Sequence, residues 1–211
     1  MKPSPRFDVF SAADLRRRVL GTGLEALGND VGDHVLNPDL EQLVERQGAR
    51  EAAVLVPIVD RPEGAGMILT TRAGHLRKHS GQIAFPGGSV DPGDASPEAA
   101  ALRESLEEIA LAPEHVETIG RLPRYLTTTG FRITPVLGLV RPGFTLKPNP
   151  DEVADVFEVP LGFLMDAANH ARESQVWQGR ERSYYIMPFE NRHIWGVTAG
   201  IIRTLYERLY A

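Results

Sequence analysis

The segment that most limits how this chain can fold starts at Ser96 and Pro97. Ser96 suits a helix N-cap and Pro97 the first helical position, so a helix is expected from Pro97 to about Ala110, ahead of Pro113. At about 100° per residue, Ala99, Leu102, Leu106 and Ile109 share one arc, while Glu104, Glu107 and Glu108 share the opposite one. The apolar arc should pack on a core. The acidic arc is unfavourable on its own terms: Glu104 and Glu108 are like charges four apart, costing roughly 0.2–0.5 kcal/mol. All three acids also stand in the C-terminal half, where the macrodipole disfavours anions by about 0.3–1 kcal/mol each. Arg103 relieves part of this. Two readings stay open, a solvated charged face or three carboxylates holding a hard divalent cation, for which oxygen donors select Mg²⁺ or Mn²⁺.

With 211 residues, 42% of them hydrophobic, the chain can bury one sizeable core. A formal charge of -5 argues against a duplex nucleic-acid binder, because Lys and Arg on phosphates supply most of that affinity. There is no cysteine, which excludes disulfides, thiolate catalysis and cysteine-ligated metals and fits a cytoplasmic location. Pro3, Pro5 and Asp8 interrupt any signal-peptide core, so the N-terminus is expected to be retained. The longest apolar run, Ala52 to Val59, falls far short of the roughly 20 residues that span a bilayer. No membrane partner is expected.

Ser11 and Asp14 form a capping box for a short helix from near Ala12 to Gly21, and a second helix is expected over Asp39 to Arg46. These two belong to an N-terminal helical arm, residues 1–48. From 49 to 211 the texture is that of the main domain. AAVLVPIVD and MILTTR, joined by the turn-prone RPEGAG, read as two antiparallel strands. Further strands are expected at Val116 to Arg121, Thr134 to Val140, Val153 to Val159 and Tyr184 to Met187. Thr198 could cap a last helix with Ile201, Ile202, Leu205 and Leu209 as its buried stripe. This order predicts an α/β (α+β) fold, a mixed sheet with helices on both faces.

Two stretches carry no acid. Gly64 to Val90 holds Arg72, Arg77, Lys78, His75 and His79, and Thr118 to Pro150 holds Arg121, Arg124, Arg132, Arg141 and Lys147. In an acidic protein such stretches can focus a positive field on an anion, or they can be ordinary surface loops. His75 and His79 would share a helix face only if that segment were helical. Trp195 and Tyr185 could stack on a base, though core packing is the commoner use of an aromatic.

Just before the acidic helix stand Phe85, Pro86, Gly87 and Gly88, where paired glycines permit a turn that side chains would block and free a carbonyl to face a metal. Joined to the helix, GGSVDPGDASPEAAALRESLEEIAL resembles the Nudix box. The box usually has five residues between glycine and a glutamate and seven more before arginine. Here Asp94 takes the glutamate's place and eight residues precede Arg103, an irregularity similar to the coenzyme A pyrophosphatase branch. The upstream signature of that branch is matched at Leu69, Thr70, Arg72, Ala73, Arg77, Gly81 and Phe85 to Gly88. GRLPRYLTTTGFRITPVLG, NPDEVADVFEVPL and YYIMPFENRHIWGVTAGII also look like it, so the resemblance runs from about Ala52 to Tyr210. Ser105 replaces the usual apolar residue, and Ala110 the usual glycine, where alanine would prolong the helix rather than cap it.

The resemblance implies a Nudix α/β/α sandwich that cleaves the diphosphate linkage of coenzyme A or its derivatives. Glu104, Glu107, Glu108 and the Gly88 carbonyl would bind Mg²⁺ or Mn²⁺, and Arg103 would orient the glutamates. Glu107 is the first choice for general base and Glu152 the second. Arg72, Arg77 and Lys78 are candidate contacts for the phosphates of a small-molecule nucleotide. Alternatives are another nucleoside diphosphate substrate, such as ADP-ribose or a dinucleotide, or a sensor module without catalysis. The sequence leaves the oligomeric state open, a homo-oligomer included.

Overall fold

The computed structural model describes residues 9–23, 29–38, 50–177 and 179–211. Helix α1 (Ala12–Thr22) leads to a short strand β1 (Val31–Gly32). Strands β2 (Arg50–Val59), β3 (Gly66–Arg72), β4 (Ile83–Ala84) and β5 (Gly87–Ser89) precede helix α2 (Pro97–Ile109). Then follow β6 (Val116–Arg121), β7 (Tyr125–Leu126), β8 (Phe131–Val140), β9 (Val153–Pro160), a single turn α3 (Leu161–Leu164), β10 (Ala171–Trp177), β11 (Arg180–Phe189), β12 (Arg192–Trp195) and α4 (Gly196–Leu209). The helix expected over Asp39 to Arg46 lies outside the described residues.

The main sheet runs β1-β7-β8-β2-β3-β4, with β5 added to β2, β6 to β8 and β9 to β3. Its centre is a ten-residue parallel pair, Arg50 opposite Phe131 through Val59 opposite Val140. The continuous apolar run of β2 is explained by burial on both faces. Ala53, Leu55 and Val59 pack toward α2 with Ile68, Ala100, Ala101, Ile109 and Val136. Val56 and Ile58 face the other way, against Leu15 of α1 and Ile201, Ile202 and Leu205 of α4. The mixed sheet with helices on both faces is therefore present, and α1 shares the core of α4. A smaller antiparallel sheet, β10-β11-β12, contains the strand expected at Tyr184 to Met187 and adds two that the sequence pattern does not show. Seven exposed residues give β10 no apolar alternation to read.

Three local expectations are corrected. The buried residues of α2 are Ala100, Ala101, Ser105, Glu108 and Ile109, and Leu106 is 45% exposed. The helix lies close to β2 and β5 through small residues, so its seated face is rotated toward the acids and away from the leucine arc. Ser105 is covered without penalty because its hydroxyl donates to the Ala101 carbonyl, 2.7 Å away. Thr198 sits inside α4 rather than capping it; the cap position is Trp195, and the Thr198 hydroxyl donates to the Ile83 carbonyl at 2.9 Å.

The third correction is Ala110, which ends the helix instead of extending it. It adopts φ 56°, ψ 28°, with its N–H on the Leu106 carbonyl and the Leu111 N–H on that of Ser105. The Ala110 bond, to the carbonyl four residues back, is the 5→1 closure of an αL helix end, whose left-handed position normally belongs to glycine. An L side chain there costs roughly 1–2 kcal/mol, offset in part by the freer unfolded chain of glycine. Ala110→Gly should therefore raise stability by about 0.5–1 kcal/mol, read as a shift in the urea midpoint at unchanged m-value. A loss of stability would mean that the methyl group makes a packing contact outweighing the backbone strain.

Candidate active site

Two backbone connections bring the acidic elements together. The end of α2 has unpaired carbonyls, and the loop after β8 satisfies them: Lys147 N–H donates to Ile109 (2.9 Å) and Asn149 N–H to Glu108 (2.8 Å). Glu152 follows at once, and its carbonyl accepts from Ala73 N–H at 2.8 Å, directly after Arg72. Glu152 thus adds to the negative field on both Glu104 and Glu108.

On the opposite side, β5 places the double glycine against the helix. A Cβ on residue 88 would stand 2.5 Å from Glu104 Oε1, so any other residue there would push that carboxylate aside. The Gly87 N–H donates to Glu108 Oε2 at 3.1 Å. Leu55 N–H bonds the Pro86 carbonyl and Val90 N–H that of Glu51, so in the register Ala53 opposite Gly88 the polar groups of Gly88 face β2. The carbonyls turned away from β2 are those of Gly87 and Ser89, and Ser89 accepts from Arg103 at 3.2 Å. In this register the Gly88 carbonyl, expected to face a metal, points to β2, and that of Gly87 points away from it, because antiparallel pairing alternates direction at every residue.

Arg103 is the hub. Its Nε and Nη2 bond both oxygens of Asp94 (3.1 and 3.0 Å), and Nη1 reaches Glu104 (3.0 Å) and Glu107 (3.1 Å). The Arg103 hydrogen bonds, joined by one from Asp91 N–H, hold the Asp94 carboxyl below the usual carboxylate range. In the sequence Asp94 stands out only as an irregular box residue. Its role as the anchor of Arg103 depends on the loop between them, which sequence does not show.

The three glutamates differ in surroundings. Glu108 is 3% exposed; burial pushes its carboxyl up to about 7, helped by the charges of Glu152 and Glu104 and opposed by the Gly87 N–H and Arg72. Glu104 is raised as well, chiefly by burial, against the pull of Arg103. The Glu107 side chain is half exposed. Two desolvated carboxylates crowded beside an open third fit a hard divalent cation, whose charge would relieve the repulsion. Among the described residues no three acids or histidines yet close on a single point, since Arg103 Nη1 stands between Glu104 and Glu107.

The basic residues divide. Arg72 enters the site, its Nη1 4.0 Å from Glu108 Oε1 and its Nε buried without a partner among the described residues. Arg77 and Lys78 are exposed on the turn between β3 and β4. Three cations of the second acid-free stretch are paired from afar: Arg121 with Glu98, Arg124 with Asp30 and Arg132 with Glu51. Local absence of acids says nothing about tertiary neighbours. The segment of His75 and His79 is not helical; His75 bonds the Asp151 carbonyl and His79 bonds Gln82, so they do not form a metal pair. Tyr185 packs against the core with Arg203 over its ring, and Trp195 meets Tyr184 edge to face at 5.4 Å.

The sequence profile of the NUDIX domain matches residues 49–178. A protein of Salmonella paratyphi B, "Uncharacterized Nudix hydrolase NudL", is 45% identical over 161 residues, covering 76% of this chain and 83% of the relative. The protein of the same name from Salmonella enteritidis matches equally. Among solved structures, the NUDIX domain of Shewanella oneidensis NrtR, complexed with ADP ribose, is 18% identical with a TM-score of 0.49, over 84% of this chain and 97% of that one. A C. elegans Ap4A hydrolase is 21% identical with a TM-score of 0.45, over 54% and 82%. Profile and relatives both span well over half of the chain, including Gly88, Arg103 and the glutamates of α2, and on that ground the chain belongs to the Nudix hydrolase family.

Proposed function

We propose that this Nudix hydrolase cleaves the diphosphate linkage of coenzyme A or its derivatives, giving 3′,5′-ADP and 4′-phosphopantetheine or its acyl form. The observation that carries this reading is the junction of the acid-free segment with the carboxylates, through Arg72 beside Glu108 and Ala73 bonded to Glu152. A polyanion needs both, cations for its phosphates and acids for the metal that neutralises it. Glu104, Glu107 and Glu108 with the Gly87 carbonyl, rather than that of Gly88, would hold Mg²⁺ or Mn²⁺. A bound divalent ion there supplies charge neutralisation of the diphosphate and a more acidic water. Arg103, bonded through one nitrogen to both Glu104 and Glu107, screens their repulsion and would orient them toward the ion. Glu107 is the first candidate to take the water's proton and Glu152 the second.

The test is to incubate the protein with coenzyme A, acyl-coenzyme A, ADP-ribose and dinucleotides, with Mg²⁺, with Mn²⁺ and with EDTA, and to identify products by mass. Coenzyme A should be cleaved fastest, and EDTA should abolish cleavage. Turnover in metal-free buffer would refute the mechanism, and preference for ADP-ribose would refute the substrate.

The 3′-phosphate offers a sharper measurement. A charge-assisted hydrogen bond contributes roughly 1.5–3 kcal/mol, so kcat/KM for coenzyme A should exceed that for dephospho-coenzyme A by about tenfold to a hundredfold. Arg77→Ala should shrink that ratio selectively at fixed ionic strength, exposed charges being screened by salt. Equal wild-type values would remove the 3′-phosphate from recognition. An equal loss on both substrates would place Arg77 elsewhere.

A further inference from the structure

The seven-residue strand β10 is at the edge of its sheet, paired on one side with β11, and every one of its residues is exposed. Its outer edge therefore presents N–H and C=O groups for which another strand is the natural complement. The same strand carries two of the most exposed large apolar side chains among the described residues, Val176 at 70% and Trp177 at 56%. Proteins blunt such edges with proline, bulges, covering loops or charged side chains; β10 has no proline and no register shift, its charges are the opposite pair Arg172 and Glu173, and among the described residues no strand pairs with its outer side.

We propose that β10 pairs antiparallel with β10 of a second copy of this chain, about a two-fold axis through Ser174, so that two three-stranded sheets become one of six strands. A two-fold axis that continues a sheet stands perpendicular to it and keeps each side chain on its own face, so residues opposite one another must be an even number apart in sequence. Few registers remain. Centring on Arg172 opposes it to the partner's Arg172, and centring on Glu173 opposes it to the partner's Glu173, both unfavourable like-charge pairs. Centring on Gln175 pairs only five of the seven residues and sets Glu173 against the partner's Trp177.

Ser174 at the axis pairs all seven. Ala171 then faces the partner's Trp177, Arg172 the partner's Val176 and Glu173 the partner's Gln175, with no like charges directly opposed. The aliphatic stem of Arg172 can lie along the partner's Val176. Both exposed apolar side chains thus gain cover from the pairing that the charges select.

The chain has no cysteine, so an introduced thiol is unique and reports the register directly. In the full-length protein Ser174→Cys places two thiols across the axis with Cα atoms about 4.5–5.5 Å apart, within disulfide range. Arg172→Cys leaves them about 13 Å apart along the strand, out of reach. Wild type should sediment at twice the mass of one chain, and mild oxidation should cross-link the Ser174→Cys variant but not Arg172→Cys. Ser174→Arg, which sets like charges on the axis, should halve the mass while circular dichroism and hydrolysis of coenzyme A stay unchanged. The proposal is overturned if wild type is monomeric at every concentration, the result expected if a foreign strand or a membrane covers β10. Equal cross-linking at 172 and 174, or a Ser174→Arg protein that keeps twice the chain mass, overturns it as well.

Discussion

Glu108→Gln is expected to lower kcat/KM roughly 100- to 1000-fold, the loss typical of removing one essential electrostatic contact from a catalytic site, while making the metal-free protein more stable. The two signs have one cause. Glu108 is buried, and its carboxyl is raised from about 4.5 to about 7 by that burial and by neighbouring acids. Below pH 4.5 folded and unfolded chains both hold the proton, and wild type and variant should melt alike. As pH rises through 7 the wild type alone loses stability, since its unfolded state ionises first; the full difference is on the order of 3 kcal/mol. The amide keeps the acceptor for Gly87 N–H but buries an NH₂ group, so a net gain of about 1–2 kcal/mol at pH 8 is the expected result. The measurement is thermal or urea unfolding in EDTA from pH 4 to 8, beside kinetics in Mg²⁺. A variant that is both inactive and destabilised across that range would make Glu108 a structural residue rather than one kept for a cation.

Arg103→Ala should also lower kcat/KM by about two orders of magnitude, but here the melting temperature should fall with it. Removing the guanidinium frees Glu104 and Glu107 to repel each other and leaves Asp94 and the Ser89 carbonyl without their shared donor. Arg103→Lys should recover part of the stability and little of the rate. A single ammonium cannot bond both Asp94 oxygens while spanning two glutamates, whereas the planar guanidinium does so in one geometry. Pairing each melting curve with kcat/KM separates orientation from folding. Full activity in the lysine protein would show that charge alone suffices, and full activity in the alanine protein would remove Arg103 from the site. The opposite stability signs of Glu108→Gln and Arg103→Ala form a joint test, because a merely solvated acidic face would give neither.

How much of this was legible beforehand follows from the range of each interaction. Ser96 and Pro97 start α2 through bonds spanning a few residues, and the strand β6 was placed by short-range pattern at Val116–Arg121, as observed. The clustering of Glu104, Glu107 and Glu108 was likewise readable, being a matter of helical period. Four-residue contacts survive in any fold that keeps the helix. What tertiary structure decided was which face of α2 is seated: the small residues Ala100, Ala101 and Ser105 let it approach β2, burying Glu108 and leaving Leu106 outside. It also decided the carbonyl direction at Gly87 and Gly88, set by pairing with a strand more than thirty residues earlier, and the neutralisation of Arg121 by Glu98 and of Arg132 by Glu51. Glu152 reaches the acids of α2 because a loop after β8 bonds the open carbonyls of Glu108 and Ile109, a contact between backbones that no side-chain pattern records.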